Sequence, residues 1–203
     1  MHVKLISPCL ALAAALAACA PRPAPLSVAG QCHAELDRLG VDYAAAPVEA
    51  AAASCTVDDP VRVNAAAIAW DRPGVVACRF AVGLDDFARD AVAPLARSYF
   101  GERVTLIRHY GAYSCRTTRG GRDSQHARGE AIDIAGFVLE DGTAISVERD
   151  WRDHGPRGRF LRAVARAACE RFALVLTPDS DRDHWNHIHL DDGPYRSCPV
   201  PRA

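Results

Sequence analysis

Leu84, Phe87, Ala88, Ala91, Leu95 and Tyr99 recur every three or four residues, so one apolar stripe runs along residues 84–100. Asp85 and Asp86 in the first turn and Gly101 beyond the last complete the prediction of a helix. Phe160, Leu161, Val164, Ala165, Ala168 and Phe172 mark a second helix over residues 160–172. Residues 31–39, stopped by Gly40, predict a short third one. Elsewhere the period is two: residues 104–109 set Val104, Leu106 and Arg108 against Thr105, Ile107 and His109. Residues 61–70 and 74–80 are β-branched runs bounded by Pro60, Pro73 and Gly74, which predicts two short strands. A β-hairpin is expected from residues 131–140, a turn at Asp141 and Gly142, and residues 143–148. Residues 173–177 are apolar and strand-like, and a histidine-rich segment after them closes the sheet. The alanine-rich residues 44–53 and the polar, arginine- and glycine-rich residues 111–128 read as loops. Helices outside a small antiparallel sheet make the expected class α+β.

Residues 1–18 have a short polar start and then an apolar run too short to span a membrane, as an export signal does. Their end, Leu16, Ala17, Ala18 and Cys19, resembles the lipobox of bacterial lipoproteins, which implies acylation of Cys19; the alternative is ordinary cleavage nearby with Cys19 a spare thiol. The proline-rich stretch from Ala20 makes residues 19–30 a tether. The domain proper is expected over residues 31–203, enough for one core and too little for two. Setting aside Cys9 and Cys19 leaves Cys32, Cys55, Cys78, Cys115, Cys169 and Cys198, an even number with no CxxC pair. In an exported chain this predicts three disulfides rather than a cysteine-ligated metal. Pairing nearest neighbours gives Cys32 with Cys55, Cys78 with Cys115, and Cys169 with Cys198. The formal net charge is −1 with both signs mixed along the chain, which leaves no basic stripe for nucleic acid.

Candidate chemistry concentrates in residues 124–133 (SQHARGEAID) and 183–192 (DHWNHIHLDD). Together they offer a histidine, an aspartate and a close histidine pair, the ligand set of a zinc ion that keeps one position open. On a strand, Ala131, Asp133 and Ala135 share one face, so the aspartate stands on a surface cleared by alanines while Ile132 and Ile134 enter the core. Trp185, His187 and His189 share a face if the last strand begins that early, with His184 approaching from the preceding loop. Trp185 either walls the site or fills core, with core the expectation, and His33, His109 and His154 read as surface or loop residues.

SQHARGEAID resembles the SxHxxGxAxD signature of the zinc peptidase superfamily that includes D-Ala-D-Ala carboxypeptidases and dipeptidases, murein endopeptidases and the hedgehog signalling domain. The order of Cys115 and Arg116, this signature, Phe137, Asp141, Gly142, Phe160, Leu161, Cys169, Phe172 and residues 187–191 resembles the bacterial extensin-like C-terminal family. These resemblances imply that His126, Asp133 and His189 ligate Zn2+, with water as the fourth ligand. They further imply a peptidoglycan peptidase, endopeptidase or carboxypeptidase, cutting stem-peptide or cross-bridge bonds. One branch carries a glutamate three residues before its last histidine ligand; here that residue is Asn186. The spacing of His184, His187 and His189 instead resembles the penicillin-insensitive murein endopeptidases, which makes His187 the base or the stabiliser of the attacked carbonyl and His184 its assistant. Arg116 is expected to hold a substrate carboxylate or stabilise negative charge, or else merely to solvate its loop with Arg119, Arg122 and Arg128. Ser124 orients Asp133 or the substrate. The expected partners are peptidoglycan, the membrane through a lipid anchor and a protein activator, at the periplasmic face of the outer membrane. The competing class is a zinc-stabilised domain that binds cell wall or protein without hydrolysis.

Overall fold

The computed structural model describes residues 27–48, 52, 54–118 and 120–200. The export signal, Cys19, the start of the tether and Arg119 lie outside the described residues. Helix α1 (Val28–Leu39) begins three residues earlier than its apolar pattern indicates, because the Ser27 hydroxyl accepts from Gly30 N and caps it.

The expected strand over residues 61–70 is broken at residues 66–68 and feeds two different sheets. Strands β1 (Asp42–Ala45), β2 (Pro60–Ala65) and β4 (Gly74–Ala77) form a small antiparallel sheet in the order β1-β2-β4. Strand β1 takes the start of the alanine-rich segment expected to be loop, and residues 49–51 and 53 of that segment are not among those described. Strand β3 (Ala69–Trp70) joins the second sheet, where β5 (Val104–His109), β6 (Ala131–Leu139), β9 (Ile188–Asp191) and β8 (Leu174–Leu176) follow in that order. Strand β7 (Ala144–Ser146) pairs with β6 across the expected turn, but residues 147–150 then coil into helix α4 (Val147–Asp150) instead of extending the hairpin. All pairs are antiparallel except β3 with β5.

The helix expected over residues 84–100 begins six residues earlier, where β4 passes directly into α2 (Cys78–Phe87) with no side-chain cap to announce it. It then widens into a π-helical stretch, Ala88–Val92, before α3 (Ala93–Phe100). Pro94 explains the widening: it has no N–H to give and its ring clashes with the carbonyl four residues back. Helix α5 (Pro156–Ala168) starts at Pro156, a residue suited to the first helical turn, and ends before Phe172. Phe80, Phe87, Phe137, Phe160 and Phe172 are fully buried where α2, α3 and α5 cover the sheets. Phe160 meets Phe137 at 5.3 Å and Phe172 meets Phe87 at 5.4 Å, both edge-to-face. Each such burial stabilises by roughly 2–3 kcal/mol. The architecture is therefore α+β, as its periodicities indicate. Among the described residues no helix is long and apolar enough to cross a membrane.

Among the described residues three disulfides staple the fold, and two differ from the nearest-neighbour pairing. Cys32 on α1 joins Cys78 at the start of α2, and Cys55 joins Cys115 across the two loops. Helix α1 packs on α2 and places their Cα atoms 6.2 Å apart, a separation a disulfide bridges readily. Cys169 pairs with Cys198 as expected.

Candidate metal centre

Strand β6 is the floor of the site. Its register sets Asp133 opposite His189 on β9, while Ile132 and Ile134 turn into the core at 1% and 2% exposure. His126 arrives from a 3-10 turn, Gln125–Arg128, whose N-cap is Ser124. The Ser124 hydroxyl accepts from His126 N at 3.3 Å, so this serine fixes the turn that carries His126. Gly129 then reverses the chain toward β6 with φ of 67°, in the left-handed region open to glycine. A Cβ there would stand 2.9 Å from Ala77 N, so the turn also needs a residue without a side chain.

His126 Nε2, Asp133 Oδ1 and His189 Nδ1 converge. The three separations are 3.2 Å, 3.3 Å and 2.9 Å, and all three residues are buried. The opposite ring nitrogens are already engaged: His126 Nδ1 with Ala112 O, and His189 Nε2 with Asp191 Oδ2 at 2.9 Å. Protons on those outer nitrogens leave two ring lone pairs and a carboxylate oxygen facing one point. Such a set repels itself unless a proton or a cation sits among its members. Donors bound about 2.0–2.1 Å from a tetrahedral ion stand about 3.3 Å apart, close to the spacing here. The group thus fits a metal ion, and each histidine has the outer hydrogen bond that orients a ligand. A second cluster, Cys32, Asp59 and Cys78, has its sulfurs committed to a disulfide.

Electrostatics agree with the donor chemistry. Burial disfavours the His189 cation, but hydrogen bonds to Asp133 and Asp191 outweigh it and push the group up to about 9. Burial likewise opposes the Asp133 anion, yet His126, His187 and His189 hold its carboxyl far below the ordinary range. The proton that His189 holds more tightly than usual lies on the side a cation would take.

His187 lies one residue before β9, so strand alternation does not govern it; its Nε2 is nevertheless 3.3 Å from Asp133 Oδ1. Its Nδ1 is held by Asn186 Oδ1 at 2.8 Å, and its ring meets Tyr110 edge-on at 6.1 Å. His184, in the 3-10 turn Arg182–His184, has its ring 5.1 Å from that of His187 and its Nδ1 2.7 Å from Asp181 Oδ1. Burial lowers the His184 pKa, with the Asp181 interaction opposing. Arg116 Nη2 stands 3.8 Å from Asp133 Oδ2 with its side chain 56% exposed. All these groups except Tyr110, Asp181 and Asn186 open into one cleft of about 580 Å³.

Two expectations fail here. Trp185 is 55% exposed rather than core, because the turn before β9 swings it outward. His109 is buried at 2% exposure on β5, with Nε2 bound to Arg72 O at 3.0 Å; it is neither a surface nor a loop residue. Of the other set-aside histidines, His33 is part-buried on α1 with Nε2 3.0 Å from Asp59 Oδ1, and His154 is exposed in the loop before α5. Asp191 went unassigned in the sequence, although its place two residues after His189 on a strand puts both on one face. Ala112 O, Asp181 and Tyr110 sit in surroundings that no local pattern announces.

These features define a disulfide-stapled α+β domain with a buried His–Asp–His group that could hold a metal ion. The chain belongs to the family of extensin-like protein C-termini, whose match covers residues 30–199. No curated protein and no solved structure matches the chain.

Proposed function

We propose that the protein is a zinc-dependent peptidoglycan peptidase, acting as endopeptidase or carboxypeptidase on stem-peptide or cross-bridge amides. The carrying observation is the convergence of His126 Nε2, Asp133 Oδ1 and His189 Nδ1 beneath an open cleft that also receives His184, His187 and Arg116. A zinc ion held there would supply a Lewis acid that acidifies water and polarises an amide carbonyl. His187 is oriented by Asn186, so its Nε2 face is the one turned to the site, placed to take a proton from water or to steady the carbonyl oxygen. His184, whose pKa burial lowers, assists as acceptor of a proton to be passed on. Arg116 brings a positive charge to the cleft for a substrate carboxylate or for charge developing in the transition state.

The three disulfides suit an oxidising compartment. With the leader-like residues 1–18 they support a periplasmic lipoprotein anchored through Cys19, facing peptidoglycan and open to a protein activator. One observation favours a second reading, a zinc-stabilised binding domain without hydrolysis: Asn186 stands where a catalytic glutamate belongs in one branch of the superfamily it resembles, and its side chain is tied to His187.

The His187→Ala variant tests the catalytic assignment. Under the peptidase reading it keeps stoichiometric zinc and loses turnover by about 100-fold or more. Undiminished turnover would remove His187 from the mechanism, and zinc lost together with turnover would make it a ligand instead.

A further inference from the structure

We propose that Arg122 and Tyr195 form a second substrate contact that grips the far arm of a cross-linked peptide, a reading that rests on the hydrolase assignment above. The Arg122 guanidinium carbon lies 5.5 Å from the centroid of the Tyr195 ring. Both residues line the metal cleft, and both also line a neighbouring hollow of about 630 Å³. The two spaces share Arg122, Asp123, Gln125, Gly193, Pro194 and Tyr195, so the pair stands on the boundary that a chain reaching from the metal centre into the second hollow passes along.

Each residue is presented by a braced segment. Arg122 sits in a tight loop in which Thr118 N donates to Arg122 O at 2.8 Å and Arg122 N to Thr118 Oγ1 at 3.2 Å. That loop is tied at its base by Cys55–Cys115. Tyr195 lies in the C-terminal segment, where Ser197 N donates to Ala173 O at 2.9 Å and Cys198 is fastened to Cys169. Both jaws are thus held while their tips stay in water: Arg122 is exposed and Tyr195 is 67% exposed.

An exposed ring at a cleft edge is the surface that binding covers, with its apolar face toward substrate and its polar end in water. The arginine fork beside it matches the carboxylate and carbonyl oxygens of a peptide. Under this proposal a single stem peptide occupies the first hollow, which holds the metal-centre residues. A cross-linked pair has a second arm long enough to use the Arg122–Tyr195 contact, and so gains affinity from it.

The test is calorimetric binding of a cross-linked muropeptide dimer and of its monomer to the zinc-loaded chain, in a His187→Ala background that spares the ligand. The dimer is expected to bind about tenfold tighter. Arg122→Ala and Tyr195→Ala should each weaken the dimer roughly fivefold while the monomer stays within about twofold. Tyr195→Phe, which keeps the ring under the guanidinium, should bind like its parent, and unchanged melting temperatures certify the fold. Equal affinities for the two lengths, no binding of either, or equal losses on both would overturn the contact. Length preference without hydrolysis by the native chain would sink the peptidase reading and leave the pair as a contact of a binding domain; hydrolysis without length preference would keep the peptidase and overturn the contact.

Discussion

His189 Nε2 lies 2.9 Å from Asp191 Oδ2, two residues further along the same strand, while its Nδ1 lies 2.9 Å from Asp133 Oδ1. The carboxylate of Asp191 therefore chooses which nitrogen of His189 carries the proton and which faces the site. Asp191 Oδ1 also accepts from Gly193 N, so truncation would disturb the chain beyond β9, whereas Asp191→Asn keeps the shape and removes the charge. The expected result for Asp191→Asn is zinc affinity about 10- to 100-fold weaker, read by competition with a chromogenic chelator. Unchanged affinity would mean that the ion does not use His189 Nδ1.

The same histidine gives the metal site a pH dependence. Its folded value, about 9, lies above its ordinary 6.5. A group raised by folding contributes stability that is fully present below 6.5 and is lost as pH rises through 9. The metal-free domain is therefore expected to lose stability across that window. A zinc ion bound at these residues would compete with this proton for the same lone pair, so its affinity is expected to climb over the same range. Melting temperatures with and without zinc between pH 6.5 and 9 should diverge as pH rises, and a constant gap would contradict the proton's place at His189.

Cys55–Cys115 closes a separation of 60 residues and anchors the loop that carries Arg116. A cross-link over a loop of that length constrains the unfolded chain by about 4 kcal/mol. Replacing both cysteines by serine should cost stability of that order in denaturant titrations and weaken substrate binding more than zinc binding. Non-reducing peptide mapping should recover Cys32 with Cys78 and Cys55 with Cys115.

Much of this was legible where a single period governs a segment. The alternation of Ala131, Ile132, Asp133 and Ile134 places an aspartate over a packed sheet, and the structure does so. The apolar stripe of α5 was readable for the same reason, though its start at Pro156 shows that a proline suited to the first turn, not hydrophobicity, marks the boundary. Legibility ended where tertiary neighbours decide. Cys32 meets Cys78 because two helices pack, which no spacing along the chain encodes. His109 is buried because Asp71 and Arg72 from the turn after β3 close over it. Trp185 and His187 escape the alternation of β9 because a 3-10 turn precedes the strand. Asp191 was within reach of the alternation rule, and its pairing with His189 is the one site contact the rule could have supplied.

The most direct test of the central claim is mass spectrometry of purified sacculi and cross-linked muropeptides after incubation with the zinc-loaded chain, beside a His126→Ala control. His126 supplies one of the three converging donors, so its replacement should abolish metal binding while His184, His187 and Arg116 still line the cleft. The account predicts new peptide fragments with the native chain and none with His126→Ala, the fragment masses naming the bond that is cut. Intact muropeptides with both proteins, although zinc is bound stoichiometrically by the native chain, would contradict hydrolysis and leave a binding domain.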